Sequence, residues 1–337
     1  MKKIFVAIMA VASFVACTND EVMDFNKQEI AFTNAFVENA TRANDAFTVT
    51  TATLGNFQVY GTTKGDETGA AIVPIFDYVT VSNDAGAWAY SASNIQYWID
   101  GNTYNFVAVK NVNKADVTLA NGVPSAIKYD AATQADFLYA ANAFGKYTQG
   151  TSVTKVPFTF DHKLSKVFFT FRNTMTTNVA ENMYTYRVSN IKINNAVKAA
   201  TYKPSGVWEN ITAYYTAENA LEFGNITKNF AEGANQGEAA LIGAVGAADE
   251  STSLNARLVI PHAYTALNIT CTIETLLNGA VVNVETYNKD IAQTFDAGKV
   301  YNFVLTRNNP GAQIQFTVNN VNAWDENHTG YNPGVGI

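Results

Sequence analysis

What most constrains this chain is a period of two. Apolar and polar side chains alternate residue by residue in run after run, and successive side chains of an extended strand point to opposite faces. Leu267, Ile269, Cys271 and Ile273 alternate with Asn268, Thr270, Thr272 and Glu274. Val167, Phe169 and Phe171 alternate with Phe168, Thr170 and Arg172, and Tyr301, Phe303 and Leu305 with Asn302, Val304 and Thr306. Each run reads as the inward stripe of a half-buried sheet. The i, i+3, i+4, i+7 spacing of a long amphipathic helix is sustained nowhere in the mature chain. Between the runs lie breaks such as Lys64-Gly65-Asp66, Asn83-Asp84-Ala85-Gly86 and Asp100-Gly101-Asn102. Leu277-Asn278-Gly279-Ala280 is the strongest hairpin signal, because a type I′ turn needs positive φ at both central residues. Many short strands with regular turns predict an all-β protein built of β-sandwiches.

Size sets the number of units. The 337 residues, 47% of them hydrophobic and 15% charged, suffice for two domains with cores of their own. Gly145, Gln149-Gly150 and Ser152 interrupt the apolar runs. The expected division is therefore an N-terminal β-sandwich over residues 43–150 and a C-terminal one over 151–337. Residues 224–252, rich in Gly, Ala and Asn, are expected to hold long loops. With 22 basic against 29 acidic groups and a net charge of -7, the chain lacks the basic footprint that nucleic acid requires.

The amino terminus reads as an address. Lys2-Lys3 precede an apolar run from Ile4 to Val15, then Ala16-Cys17. About a dozen apolar residues fall short of the roughly 20 needed to span a bilayer, so residues 1–16 are expected to be a cleaved signal. The small residue before Cys17 resembles a bacterial lipobox, which implies a lipid on Cys17 and an outer-membrane anchor. The alternative is an ordinary signal peptide with a chance cysteine. Without Cys17, Cys271 is single, and its strand context makes it a small buried hydrophobe.

Catalytic signatures are missing. The sequence contains no Gly-x-Ser-x-Gly elbow, His-Glu-x-x-His pair or phosphate-binding loop. Asp136, Asp161, Glu274 and Asp325 would have to converge to make a glycosidase, against the commoner reading as turn or solvated carboxylates. His162 is either a general base or, more simply, a hydrogen-bonded structural residue. Asp325-Glu326-Asn327-His328 lacks the spacing of a Ca²⁺ loop. Trp88, Tyr90, Tyr97 and Trp98 form either a carbohydrate platform or part of the core. The expectation is no catalytic residue, no metal, no cofactor and no enzymatic activity.

A set of short blocks occurs in order along nearly the whole chain: Ile30-Ala31-Phe32-Thr33-Asn34, Ala40-Thr41-Arg42-Ala43, Phe57-Gln58-Val59-Tyr60-Gly61, Trp88-Ala89-Tyr90-Ser91, Tyr97-Trp98 and Tyr104-Asn105-Phe106-Val107-Ala108. Asp136-Phe137-Leu138-Tyr139-Ala140, Phe160-Asp161-His162-Lys163-Leu164-Ser165-Lys166, Gly298-Lys299-Val300-Tyr301-Asn302-Phe303 and Trp324 continue it. This set resembles the fimbrillin-like lipoproteins of Bacteroidales, subunits of type V pili. The acidic Asp20-Glu21 pair after Cys17 likewise resembles their surface-export signal, against a reading as a plain acidic tether.

The resemblance implies two transthyretin-like or immunoglobulin-like sandwiches, cell-surface location and polymerisation with other pilus subunits by strand exchange. A protease would cut between Arg42 and Ala43. That cut would remove the tether and first strand, residues 17–42, in which Ile30, Phe32 and Phe36 are expected to share one face. The groove so opened would receive a carboxyl-terminal donor strand from another subunit, with Ile314, Phe316 and Val318 as its apolar knobs. The residues themselves leave two alternatives: a permanent first strand, and a last strand that closes its own sheet. The segment from Asp325 to Ile337 is either a flexible end or the mark of a special place in the pilus. A ligand on a host or bacterial surface is expected in either case. The competing function is a monomeric surface lipoprotein that binds glycans through exposed Trp88 or Trp98.

Overall fold

The computed structural model describes residues 27–37, 49–84, 86–150, 155–173, 184–223, 226–231, 239–241, 256–307 and 315–321. Their regular structure is strand, apart from three single-turn 3-10 segments. No helix among them is long and apolar enough to cross a membrane.

The first half contains β1 (Phe32–Val37), β2 (Asn56–Lys64), β3 (Ile72–Asp84), β4 (Ala87–Ala89), β5 (Thr103–Lys110), β6 (Val117–Ala120), β7 (Val123–Asp130), β8 (Leu138–Phe144) and β9 (Val156–His162). Then follow β10 (Ser165–Asn173), β11 (Tyr184–Ile193), β12 (Val197–Tyr202), β13 (Trp208–Tyr214), β14 (Leu221–Glu222), β15 (Ile226–Ala231) and β16 (Ala239–Leu241). The chain continues through β17 (Arg257–Val259), β18 (Ala263–Leu277), β19 (Ala280–Thr294), β20 (Val300–Arg307) and β21 (Gln315–Val321).

Seven strands form the first sheet in the order β1-β9-β8-β5-β2-β3-β4. Alternation sends Phe57, Val59, Phe106, Ala108, Phe158 and Phe160 into one core. Tyr60, Val107 and Val109, on the opposite face, join a second and larger core. The sheet is therefore covered on both sides, and Phe106 to Val109 are buried without interruption. Gly61 is required where rings crowd the first core: a Cβ there would lie 2.7 Å from the Phe76 ring and 3.0 Å from that of Phe106.

Two further sheets face each other as a sandwich, β16-β10-β20-β21 with β17 beside β10, and β14-β11-β18-β19 with β15 beside β11. Val167, Phe169, Phe171, Tyr301, Phe303 and Leu305 supply one inner face, and Val188, Ile269, Cys271 and Ile273 the other. The rings of Phe169 and Phe303 stack at 5.1 Å. The three expected stripes are all inward. β10 and β20 are not half-buried, however: Phe168, Asn302 and Val304 on their other faces are buried too. These two strands pair with each other in parallel at the centre of their sheet. The expected hairpin at Asn278-Gly279 is present, with φ of 50° and 82° and Leu277 opposite Ala280. Burial pushes the Cys271 thiol up to about 12, so this cysteine is an inert core residue.

The fourth sheet, β13-β12-β7-β6, corrects the expected division at residue 150. β9 lies beyond that point, yet it pairs with β8 and β1 of the first sheet. The Gly-containing break is thus the connection between two neighbouring antiparallel strands. The chain leaves this sheet only after His162. In addition, β7 pairs with β12 from Ile127–Tyr202 to Asp130–Ala199, so the two halves share a sheet. Of residues 224–252, the described portions include β15 and β16 rather than loop alone.

Candidate functional site

The first strand and its surroundings form the candidate site. β1 stands at one end of the first sheet and pairs in parallel with β9. The segment leading into it also bonds to the chain that follows β4, the strand at the other end of that sheet. Ile30 donates its amide to the Gln96 carbonyl at 2.8 Å, Gln28 accepts from the Trp98 amide at 2.9 Å, and Glu29 bridges to Tyr97. The Tyr90 hydroxyl donates to the Ile30 carbonyl at 2.6 Å. On the β9 side, the Val156 amide donates to the Ala31 carbonyl at 2.8 Å. Residues 28–37 therefore act as a seam between β9 and residues 90–98, the segment that follows β4.

The seam is anchored by apolar burial. Phe32 is 1% exposed, and its ring lies 5.5 Å from Phe76, 5.6 Å from Tyr90, 6.1 Å from Phe106 and 5.7 Å from Phe158. Ile30 is fully buried beside it. Phe36 corrects the expected stripe, being 53% exposed while Ala35 and Val37 are buried. The cause is a bulge: Thr33 opposes Pro157 and Phe36 opposes Thr159, so three steps on β1 match two on β9. One extra residue reverses the phase of the alternation, and Phe36 turns outward.

A buried polar pair secures the chain where it returns from the segment after β1. Asp136 and His162 are both buried, and the imidazole Nδ1 lies 2.9 Å from the carboxylate. The same carboxylate accepts from the Val49 amide at 2.9 Å, and the Asn111 side-chain amide donates to the Asp136 carbonyl at 2.8 Å. His162 is a hydrogen-bonded structural residue. The proposed carboxylate cluster does not assemble around it: Asp161 is engaged by Lys163 at 2.8 Å and Glu274 by Arg187 at 2.7 Å. Asp325 lies outside the described residues. Among the described residues no group of three His, Cys, Asp or Glu side chains is placed to hold a metal ion.

At the other end of the chain, β21 is the edge strand beside β20, with Phe316 opposite Leu305 and Val318 opposite Phe303 in register. Val318 packs half-buried against the larger core. Ile314 lies outside the described residues, as do Cys17, Arg42, Ala43 and residues 1–16. Within this single chain the last strand occupies its own sheet.

The aromatic set divides between core and surface. Trp98 is 5% exposed and packs among Tyr104, Phe106, Phe144 and Tyr147. Trp88 leans on Phe57 with ring centroids 5.0 Å apart, and Tyr90 is committed to the seam. Tyr97 alone of the four is exposed. A sugar platform needs free ring faces, so this arrangement counts against the two tryptophans as one. The seam itself carries little sequence signal beyond Ile30 and Phe32, because its partners at Tyr90, Gln96 and Val156 are distant in the chain.

A family model described as fimbrillin-like matches residues 33–324. No protein with a curated description matches the sequence. Among solved structures, a fimbrial protein from Bacteroides vulgatus ATCC 8482 is similar at a TM-score of 0.61 and 14% identity, over 88% of this chain and 100% of that one. A fimbrial assembly protein from Parabacteroides distasonis ATCC 8503 aligns over 87% of this chain and 97% of its own, at 11% identity and a TM-score of 0.40.

Proposed function

The chain belongs to the fimbrillin-like family, and from that premise we propose that it is a structural subunit or adhesin of a type V pilus, acting by assembly rather than catalysis. It is made as a lipoprotein precursor, held at the outer membrane through Cys17, cut between Arg42 and Ala43, and polymerised by donor-strand exchange at the cell surface. The observation that best supports this reading is the seam. β1 is an edge strand paired with β9, the residues before it bond to the segment after β4, and Ile30 and Phe32 fill the first core. A cut after Arg42 would remove all of these groups. The Asp136 contact to Val49 would stay on the retained side.

Removal of β1 would leave Phe76, Phe106 and Phe158 without the Phe32 ring and the β9 backbone without its neighbour. Burying two large apolar side chains stabilises by about 3 to 6 kcal/mol in all, so the open groove has a strong drive to be refilled. An incoming strand supplies both the apolar knobs and the main-chain hydrogen bonds. β21 suits that role because it is an edge strand, so releasing it breaks only one ladder. Keeping the groove filled until a late cut also protects the subunit from premature edge-to-edge association.

The test is the amino-terminal mass of the protein from its native cell surface. Assembly by processing predicts a start at Ala43 in polymer; a start at acylated Cys17 throughout would instead mark an anchor or a stand-alone lipoprotein. In reconstituted assembly, Arg42→Ala is expected to fold yet stay monomeric, and Phe316→Asp to fold yet fail as a donor. Normal polymer from Arg42→Ala would remove processing from the mechanism, and normal polymer from Phe316→Asp would remove this strand as donor.

A further inference from the structure

A cleft of about 360 Å³ opens where the first sheet meets the four-stranded sheet. Asn56 and Gln58 enter it from β2, Lys110 from the end of β5, Asn113 and Asp116 from the segment after β5, and Lys128 from β7. Buried Tyr129 contributes a ring to its wall. Gln58 alternates with Phe57 and Val59, so the cleft lies on the face of β2 opposite the core that holds Phe32. Its occupancy is therefore independent of the strand exchange proposed above.

The lining describes its ligand. Lys110 and Lys128 balance Asp116 and Asp130, which gives no net charge with which to select an anion or a cation. The rest is mainly side-chain amide and hydroxyl, each with donor and acceptor capacity. Lys110 donates to the Asn56 side-chain oxygen at 2.9 Å and Asn113 to the Asp116 carboxylate at 3.1 Å, which orients these groups along the wall. Among the described residues no hydrogen bond engages the side chains of Gln58 or Lys128. A second cleft of about 170 Å³ shares Asp116, Lys128, Tyr129 and Asp130 and continues to Thr201 and Thr212. The two together make an extended groove of no net charge, the larger cleft of mixed polarity and the smaller one mainly apolar.

The backbone here is also unusual. Tyr78 has φ of 61° and Asn111 φ of 59°, and both line the larger cleft. Tyr78 sits in a bulge of β3, where the register with β2 passes from Val59–Val79 to Gly61–Phe76. A bulky residue is rarely left-handed, and such conformations collect at binding sites because the surrounding structure must hold them there. The bulge turns the Tyr78 hydroxyl onto the Val112 carbonyl, which fixes the turn bearing Asn111 and Asn113.

We infer that this groove binds a neutral oligosaccharide, its hydroxyls meeting amide, carboxylate and ammonium groups along the wall. The full protein is applied to an array of neutral and sialylated glycans, and the best neutral hit is titrated calorimetrically. Binding of a neutral glycan is expected. Lys128→Ala and Asn113→Ala, both at exposed positions, are each expected to weaken it about tenfold, the loss of one hydrogen bond. Val282→Ser, on the exposed surface of β19, is expected to leave it unchanged. Thermal melts of each variant identify any that has lost its fold, and Gln58→Ala serves as a third probe. Binding of sialylated glycans alone, no binding of any neutral glycan, or unchanged affinity in all three folded cleft variants would each overturn the assignment.

Discussion

Phe32 and Phe36 are the same residue type in the same short strand, and the bulge between them gives them opposite fates. Phe32→Ala removes a ring held by four aromatic neighbours and is expected to cost about 3 to 5 kcal/mol. Phe36→Ala, at an exposed position, is expected to stay within about 0.5 kcal/mol of the parent. Equilibrium denaturation of the uncut precursor checks both; equal effects would refute the phase reversal. Tyrosine protonation gives a second expectation. Burial pushes the phenols of Tyr90, Tyr139 and Tyr215 from the ordinary 10.0 up to about 12. The folded chain then keeps protons that the unfolded chain releases, so stability is full below pH 10 and falls as pH rises toward about 12. Melting temperatures across that window are expected to decline; a flat profile would contradict the burial of these hydroxyls.

At the scale of elements, the β18–β19 hairpin was legible because its turn depends on local chemistry alone. Asn278 and Gly279 both adopt positive φ, and Gly279→Ala is expected to cost about 1 kcal/mol by denaturant titration. The stripes of β10, β18 and β20 were equally legible, since a period of two names the inward residues of any strand. The second faces of β10 and β20 were not. Burial of Phe168, Asn302 and Val304 depends on what packs over the outer face of their sheet, which no local pattern encodes. The bulge in β1 escaped for a related reason: an inserted residue is defined by the strand opposite, and that strand lies more than a hundred residues away.

At the scale of the whole molecule, the shared sheet predicts how the chain unfolds. β7 and β12 belong to different halves and pair along four residues, and the larger core runs through both. A fragment ending at residue 150 lacks β9, the partner of β1 and β8, and also lacks β12. Such a fragment is expected not to fold, whereas the whole chain is expected to melt in one cooperative transition. Two separated calorimetric transitions, or a native-like circular dichroism spectrum from the fragment, would refute this coupling.

The sequence by itself determined the all-β class, the inward residues of the main strands, the Asn278-Gly279 hairpin and the family, because these rest on local periodicity, turn chemistry and an ordered set of short blocks. The tertiary structure decided which strands are central, which pairs run parallel, where the halves join, and that residues 28–37 link β9 to the segment after β4. It also gathered Gln58, Asn113 and Lys128 into one groove. Those outcomes depend on strand order and register between segments far apart in the chain, and alternation along a single strand carries no information about its neighbours.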